Sequence, residues 1–268
     1  MTEHAIIDQA IEQYSITKVF GLFSGGHDSL CATHVASSHP AFVGAVHINT
    51  GIGVPQTRQF VRDTCKEHGW ELFEYHPPVP YRELVKRWGF PGPGMHGMMY
   101  INLKERCLAQ LNRQHKTHRL NSLGLITGVR SQESSRRMRH VKTIQKDNSR
   151  IWIAPIHAWD KRQCNDYIDK HNLKRNEVVD LIHMSGECLC GAFASPGERE
   201  ELRLWFPEVV QEIEEIEAEV AKTEKPCVWG QKPTRIAGQQ EMAFMPMCVG
   251  CGKRDEDNHN ETTGELNP

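Results

Sequence analysis

Long apolar runs are missing from this 268-residue sequence, and nothing approaches the roughly 20 consecutive apolar residues with which a helix crosses a bilayer. The opening residues, Met1-Thr2-Glu3-His4, hold no lysine or arginine ahead of an apolar stretch. No secretion signal is therefore expected, and the chain reads as cytoplasmic, with no membrane partner. A surplus of either charge is also missing: 32 Lys and Arg against 34 Asp and Glu leave a net charge of −2. This excludes long-range capture of nucleic acid by a global basic field and leaves only local patches for any such contact. What the chain does have is cysteine. Nine of them, in a chain expected in a reducing compartment, argue against a disulfide framework and for metal or thiol chemistry. The length suffices for one large α/β domain with an appendage.

The most informative stretch is Val19-Phe20-Gly21-Leu22-Phe23-Ser24-Gly25-Gly26-His27-Asp28-Ser29-Leu30. It reads as a buried strand, a glycine turn and a helix that Asp28 and Ser29 cap and open. Backbone N–H groups converging at such a turn, with the hydroxyls of Ser24 and Ser29 and the positive end of a helix, suit a phosphate or pyrophosphate. The Lys-Ser/Thr pair of a Walker A loop is absent from it.

Further apolar runs at 42–49, 71–75, 122–129 and 151–156 alternate with helical patterns, among them 3–14, 56–68, 100–115 and 160–170. That rhythm gives an α/β fold with a doubly wound, mostly parallel, five-stranded sheet. Ligands of such sheets bind beyond the carboxyl ends of the strands, which places Asn49 and Thr50, with Gly51, beside the Ser24–Ser29 loop. Gly128 and Arg130 close another strand, and the run continues through Glu133, Ser134, Arg136, Arg137 and Arg139. Arginines there can grip a phosphate or sulfate, or neutralise a leaving group. The region from Pro77 to Gly97 dissolves into proline and glycine, as either a substrate lid or an irregular surface excursion. Lys104 and Arg106 follow it, as anion ligands or as a solvated helix face. Trp159 is expected as a packing anchor behind the helix that Asp160 caps.

Two tight cysteine pairs complete the picture: Cys188 and Cys190 between glycines, then Cys248 and Cys251. They can supply four thiolates to one site if the segment between them doubles back, and Leu202, Val209, Ile213, Ile216 and Val220 recur at the spacing of an amphipathic helix that would do so. Zinc and an iron–sulfur cluster both suit such a set. Cys31, Cys65, Cys107, Cys164 and Cys227 read as packing residues. The expected organisation is a nucleotide domain at 1–182, a cysteine-rich helical region at 183–252 and a disordered tail at 253–268.

The order Ser-Gly-Gly-x-Asp-Ser after a strand resembles the PP-loop of the ATP pyrophosphatase superfamily. Gly128, Arg130, Glu133, Ser134 and Arg137 fall in the Gly-x-Arg-x-x-Glu-Ser-x-x-Arg pattern of its phosphoadenosine phosphosulfate (PAPS) reductase-like branch, and Ala154-Pro155-Ile156-His157-Ala158-Trp159 is similar to another of its elements. Asn49 and Gln56 stand where that branch usually has Asp and Glu, and Leu173-Lys174-Arg175-Asn176-Glu177 where it usually has Leu-x-x-Asn-Pro. The resemblance implies an adenine nucleotide alpha hydrolase-like fold. It also implies ATP with Mg²⁺ as the bound nucleotide, held by Ser24, Gly25, Gly26, Asp28, Ser29, Asn49, Thr50, Gly128 and Arg130. Asp28, Arg130 and Arg137 are the implied catalytic residues. Cys188, Cys190, Cys248 and Cys251 are the implied ligands of a [4Fe–4S] cluster, with Zn²⁺ as the alternative.

Assimilatory reductases carry a Glu-Cys-Gly-x-His segment that does not occur in this sequence. The stronger resemblance is therefore to the ATP pyrophosphatase components of DNA phosphorothioation systems of the Dnd and Ssp types. This implies cleavage of ATP to AMP and pyrophosphate. A cysteine desulfurase or sulfur carrier and other modification-complex proteins are the implied partners, with DNA reached through the complex and a homodimer left open. A sulfonucleotide reductase, a tRNA-thiolating enzyme and a non-catalytic nucleotide-sensing subunit remain the alternatives.

Overall fold

The chain is described from a computed structural model, covering residues 2–116, 122–131, 142–223 and 227–230. Glu133, Ser134, Arg136, Arg137, Arg139, Cys248, Cys251 and the expected tail lie outside the described residues.

Helix α1 (Glu3–Tyr14) is capped by the Thr2 hydroxyl, which accepts from the Ala5 N–H at 3.3 Å, and it ends at Ser15 in the left-handed region. It leads into β1 (Ile16–Leu22), α2 (His27–Ser37), β2 (Phe42–Ile48), α3 (Pro55–Glu67) and β3 (Leu72–Tyr75). The chain then crosses to the other side of β1 for β4 (Ser122–Ile126), β5 (Ile144–Asp147) and β6 (Arg150–Ile153). The six strands lie in the order β3-β2-β1-β4-β6-β5, all pairs parallel except β5 with β6. The sheet is doubly wound, as expected, but it carries a sixth strand. β5 escapes the apolar pattern because Ile144-Gln145-Lys146-Asp147 is a half-exposed edge. It joins β6 through a tight turn in which Asn148 takes a φ of 54°.

One sheet face is covered by α1, α2, α3 and α7 (Lys161–Lys170), whose Ile7, Leu30, Val61 and Ile168 share an apolar cluster with Val19 and Ile153. Asp160 caps α7 as expected, in a reciprocal pair with Gln163. The other face packs Phe20, Leu22, Val46 and Trp152 against Leu108 and Leu111 of α6 (Arg106–His115).

The region from Pro77 to Gly97 is more regular than expected. It contains α4 (Tyr81–Trp88), where Tyr81, Leu84, Val85 and Trp88 share a face at helical spacing and the first three are buried. After α5 (His96–Tyr100), a π-helical turn at Ile101–Glu105 precedes α6. Downstream lie α8 (Glu177–Ile182), α9 (Glu198–Trp205) and α10 (Pro207–Val220). Pro207 cannot donate its backbone hydrogen bond, so the expected amphipathic helix is broken at Phe206 into α9 and α10. A third apolar cluster joins Ile52, Val54, Tyr81, Leu84 and Val178 to Leu189, Cys190, Val209 and Ile213, so the cysteine-bearing segment packs directly onto the sheet domain. No helix among the described residues is long and apolar enough to cross a membrane.

Candidate functional site

The chain reverses its direction of winding between β1 and β4, and the two strands lie side by side. Their carboxyl ends carry the Ser24–Ser29 loop and the Gly128–Arg130 segment, the crevice in which open α/β sheets bind ligands. Gly25 makes the turn with φ of 82°, and a Cβ there would meet Thr57 at 2.6 Å, so backbone angle and space both demand glycine. The helix cap is Gly26, which has no side chain to offer the first amides of α2, rather than Asp28 or Ser29, which sit inside the first turn. The Ser29 hydroxyl donates to the Gly26 carbonyl at 2.8 Å, accepts from the Ser24 N–H at 3.3 Å and lies 3.1 Å from the Ser24 hydroxyl. Both serines therefore brace one tight loop at the positive end of a helix.

Gly128 abuts this loop. A Cβ on it would come within 2.6 Å of the Asp28 carbonyl carbon and the Ser29 nitrogen. Two residues on, Arg130 turns back and pairs its Nε with Asp28 Oδ1 at 2.9 Å, with the guanidinium almost wholly buried. Asp28, Gly128 and Arg130 thus form one wall. Arg137, expected beside them, lies outside the described residues.

Asn49 and Thr50 end β2 on the other side of β1 and are both occupied. Asn49 donates to Glu74 at 3.0 Å and accepts from the Gly51 N–H at 3.1 Å. Glu74 is held by Arg62 through two hydrogen bonds, which bring its carboxyl down to about 2, against the opposing effect of partial burial. The fully buried Thr50 hydroxyl reaches the carbonyls of Ile52 and Glu187, at 3.2 and 3.1 Å. Gln56 donates to Glu208 at 2.9 Å on the surface.

A strap from Ser185 to Leu189 ties these walls to the thiols. The Ser185 carbonyl accepts from the Thr57 hydroxyl at 2.5 Å, and a Cβ on Gly26 would lie 3.6 Å from Ser185. Val54 N–H donates to the Gly186 carbonyl and Leu189 N–H to the Ile52 carbonyl, each at 2.8 Å. The strap packs so closely that a Cβ on Gly53 would meet the Glu187 carbonyl at 2.4 Å. Cys188 follows Ser185 by three residues, so its backbone is within about 11 Å of a residue standing beside the Ser24–Ser29 loop. Cys190 is buried, and contact with the Cys188 thiol, then burial, pushes its own thiol well above the ordinary range. Burial likewise raises Cys65 and Cys107 to about 12, consistent with packing roles. No disulfide joins the cysteines among the described residues.

Three contributors were not singled out from sequence. Asn176 is buried, and its amide donates to the Gly25 carbonyl at 2.9 Å and to Thr57 at 3.2 Å while its oxygen caps α8. It occupies the asparagine position of the Leu-x-x-Asn element, and that was the available signal. Thr57 is the second. The third is Glu187, whose Oε2 forms a buried ion pair with Lys104 Nζ at 3.0 Å. The π-helical turn carries Lys104, expected to meet a substrate anion or solvent, to this internal partner instead.

The fold and this crevice define a doubly wound α/β domain with a glycine turn at its switch point, a guanidinium–carboxylate wall on one side and a thiol-bearing strap on the other. The chain belongs to the phosphoadenosine phosphosulfate reductase domain family, whose sequence profile matches residues 18–185. It is 27% identical over 192 residues to a phosphoadenosine 5'-phosphosulfate reductase of Xanthomonas oryzae pv. oryzae, covering 68% of this chain and 75% of that one. It is 25% identical over 211 residues to the corresponding reductase of Photorhabdus laumondii subsp. laumondii, covering 77% and 83%. The fold is similar to that of PAPS reductase from Candida auris in its phosphate complex, with a TM-score of 0.50 at 18% identity, over 68% of this chain and 85% of that one.

Proposed function

We propose that the chain is an enzyme of sulfur chemistry on an adenine nucleotide, of the sulfonucleotide (PAPS or APS) reductase type. The observation that carries this reading is the strap, whose Ser185 stands beside the loop best suited to phosphate and whose Cys188 and Cys190 follow within a few residues. Membership of the family and likeness to curated PAPS reductases support it. In this reading the amides of the Gly25–Ser29 turn and the Ser24 hydroxyl hold the nucleotide phosphate. Arg130, oriented by Asp28, offsets the negative charge that grows on the leaving phosphate. In net terms the sulfonate sulfur gains two electrons and leaves as sulfite, adenosine phosphate is released, and two thiols of a dithiol reductant become a disulfide.

One observation favours a second reading. The described thiols are buried or half-buried, which suits packing or ligand roles better than attack on a substrate. The chemistry would then be cleavage of ATP to AMP and pyrophosphate with Mg²⁺, activating a nucleic-acid phosphate for sulfur supplied by a cysteine desulfurase or carrier, as in DNA phosphorothioation. One experiment separates the two. The full chain is incubated with ³⁵S-labelled PAPS and APS and, separately, with α-labelled ATP, a dithiol reductant and DNA being present throughout. Labelled sulfite supports the first reading and AMP with pyrophosphate the second, while neither product in any arm overturns both.

A further inference from the structure

His27, the unspecified position of the Ser-Gly-Gly-x-Asp-Ser order, opens α2 directly after the Gly26 cap. Its Nδ1 lies 3.3 Å from Arg175 Nη2. A guanidinium can only donate, so Nδ1 accepts, the ring is neutral and Nε2 carries its proton. The surroundings favour that state: burial lowers the His27 pKa most and Arg175 lowers it further, against the opposing pull of Asp180, Asp28 and the Asn176 carbonyl. Nε2 is buried without a hydrogen-bond partner among the described residues, Asp180 Oδ1 standing 4.0 Å away. Arg175 is therefore the side chain that fixes this ring.

Arg175 is itself held by two helices. It donates to both carboxylate oxygens of Asp180 in α8, at 3.1 and 3.5 Å, and to the Asn165 side-chain oxygen in α7 at 3.2 Å. The next residue, Asn176, donates to the Gly25 carbonyl at 2.9 Å. Two consecutive residues thus grip loop positions 25 and 27, one on each side of Gly26. Gly26 leaves the first amides of α2 without a side-chain cap, and those amides are the donors an anion would meet. Their aim depends on how firmly the backbone from 25 to 27 is held, and the Arg175-Asn176 clamp supplies that hold.

We propose that His27 is a positioning residue of the loop, through which Arg175 holds the first amides of α2 in place for a phosphate or pyrophosphate group. The proposal rests on reading the Ser24–Ser29 loop as a phosphate site, and the test separates the two. Binding of inorganic pyrophosphate with Mg²⁺ and, separately, of adenosine 3',5'-bisphosphate is measured by calorimetry on the full chain, well below each variant's melting temperature. The variants are His27→Leu, His27→Asn and Arg175→Met, with the exposed Arg162→Met as a charge control. His27→Leu removes the acceptor and changes no charge, whereas His27→Asn offers an amide oxygen to the same guanidinium. Affinity is expected to fall about fivefold or more in His27→Leu and Arg175→Met and to stay within about twofold in His27→Asn and Arg162→Met. Unchanged affinity in His27→Leu, or equal losses in His27→Leu and His27→Asn, overturns the role of His27 while leaving the loop as a phosphate site. Absence of binding of either probe to the unmodified chain overturns the reading of the loop itself. If His27→Leu fails to fold, Arg175→Lys decides instead, because it keeps the charge but not the fork that reaches His27, Asp180 and Asn165 together. Affinity equal to that of the unmodified chain then overturns the proposal.

Discussion

Replacing Gly128 by alanine tests how tightly the two walls of the crevice are joined. The added methyl would lie 2.6 Å from the Asp28 carbonyl carbon and the Ser29 nitrogen, both backbone atoms of the first turn of α2, whereas ordinary contact begins at 3.4 Å. Relief therefore needs a relative displacement of about 0.8 Å between the end of β4 and the phosphate loop. Overpacking of this kind costs about 1–3 kcal/mol. The functional cost is larger in proportion, because a misplacement near 1 Å at a reacting centre can remove about a hundredfold of rate. We expect Gly128→Ala to bind ATP or adenosine 3',5'-bisphosphate at least about tenfold more weakly by calorimetry and to melt several degrees lower. Gly69→Ala is the control. Its φ of 66° strains an alanine, but nothing lies within 4 Å of the new methyl, so only stability falls. Unchanged nucleotide affinity in Gly128→Ala would refute the placement of the ligand against this loop.

Three other outcomes follow from the same geometry. Asn176→Ala removes a helix cap and leaves the Gly25 carbonyl without its buried donor, so urea unfolding should show a loss of about 2–4 kcal/mol. Asn176→Asp, which keeps the cap but not the donor, should keep part of that stability yet still weaken nucleotide binding. Lys104→Met leaves Glu187 as an uncompensated buried charge and should cost about 3–5 kcal/mol, most of it recovered in Lys104→Met/Glu187→Gln. His34 sits half-buried, 2.8 Å from the Tyr167 hydroxyl and beside His68 and His171. Burial, then those two rings, lowers its pKa to about 4. Between about pH 6.5 and 4 the unfolded chain then holds the extra proton, so stability is lost on acidification through that window, on the order of 1 kcal/mol after allowing for solvent screening. Urea titrations at pH 7.5 and 5 would measure it, and a smaller drop is expected in His34→Gln.

The parts of the fold legible in the sequence were those whose residues answer to local rules. β1, the glycine turn and the start of α2 are written in the consecutive residues from Val19 to Leu30, and the cap of α7 in Asp160. α4 was hidden by flanking prolines and glycines, although Tyr81, Leu84, Val85 and Trp88 carry the helical period. β5 was missed because an edge strand needs no apolar alternation. Within the crevice, Asp28, Gly128 and Arg130 follow from where parallel strands end. What Lys104, Asn176 and Cys227 touch depends on contacts with residues 83, 151 and 137 positions away, which no local spacing records.

The central claim is that the Ser24–Ser29 loop holds the phosphate of an adenine nucleotide, and it is tested most directly by a crystal structure of the chain with adenosine 3',5'-bisphosphate or ATP. The account predicts a phosphate group within hydrogen-bond distance of the Gly25–Ser29 amides and the Ser24 hydroxyl, with Arg130 at its flank. A nucleotide bound elsewhere, with this loop making no contact to it, would contradict the account.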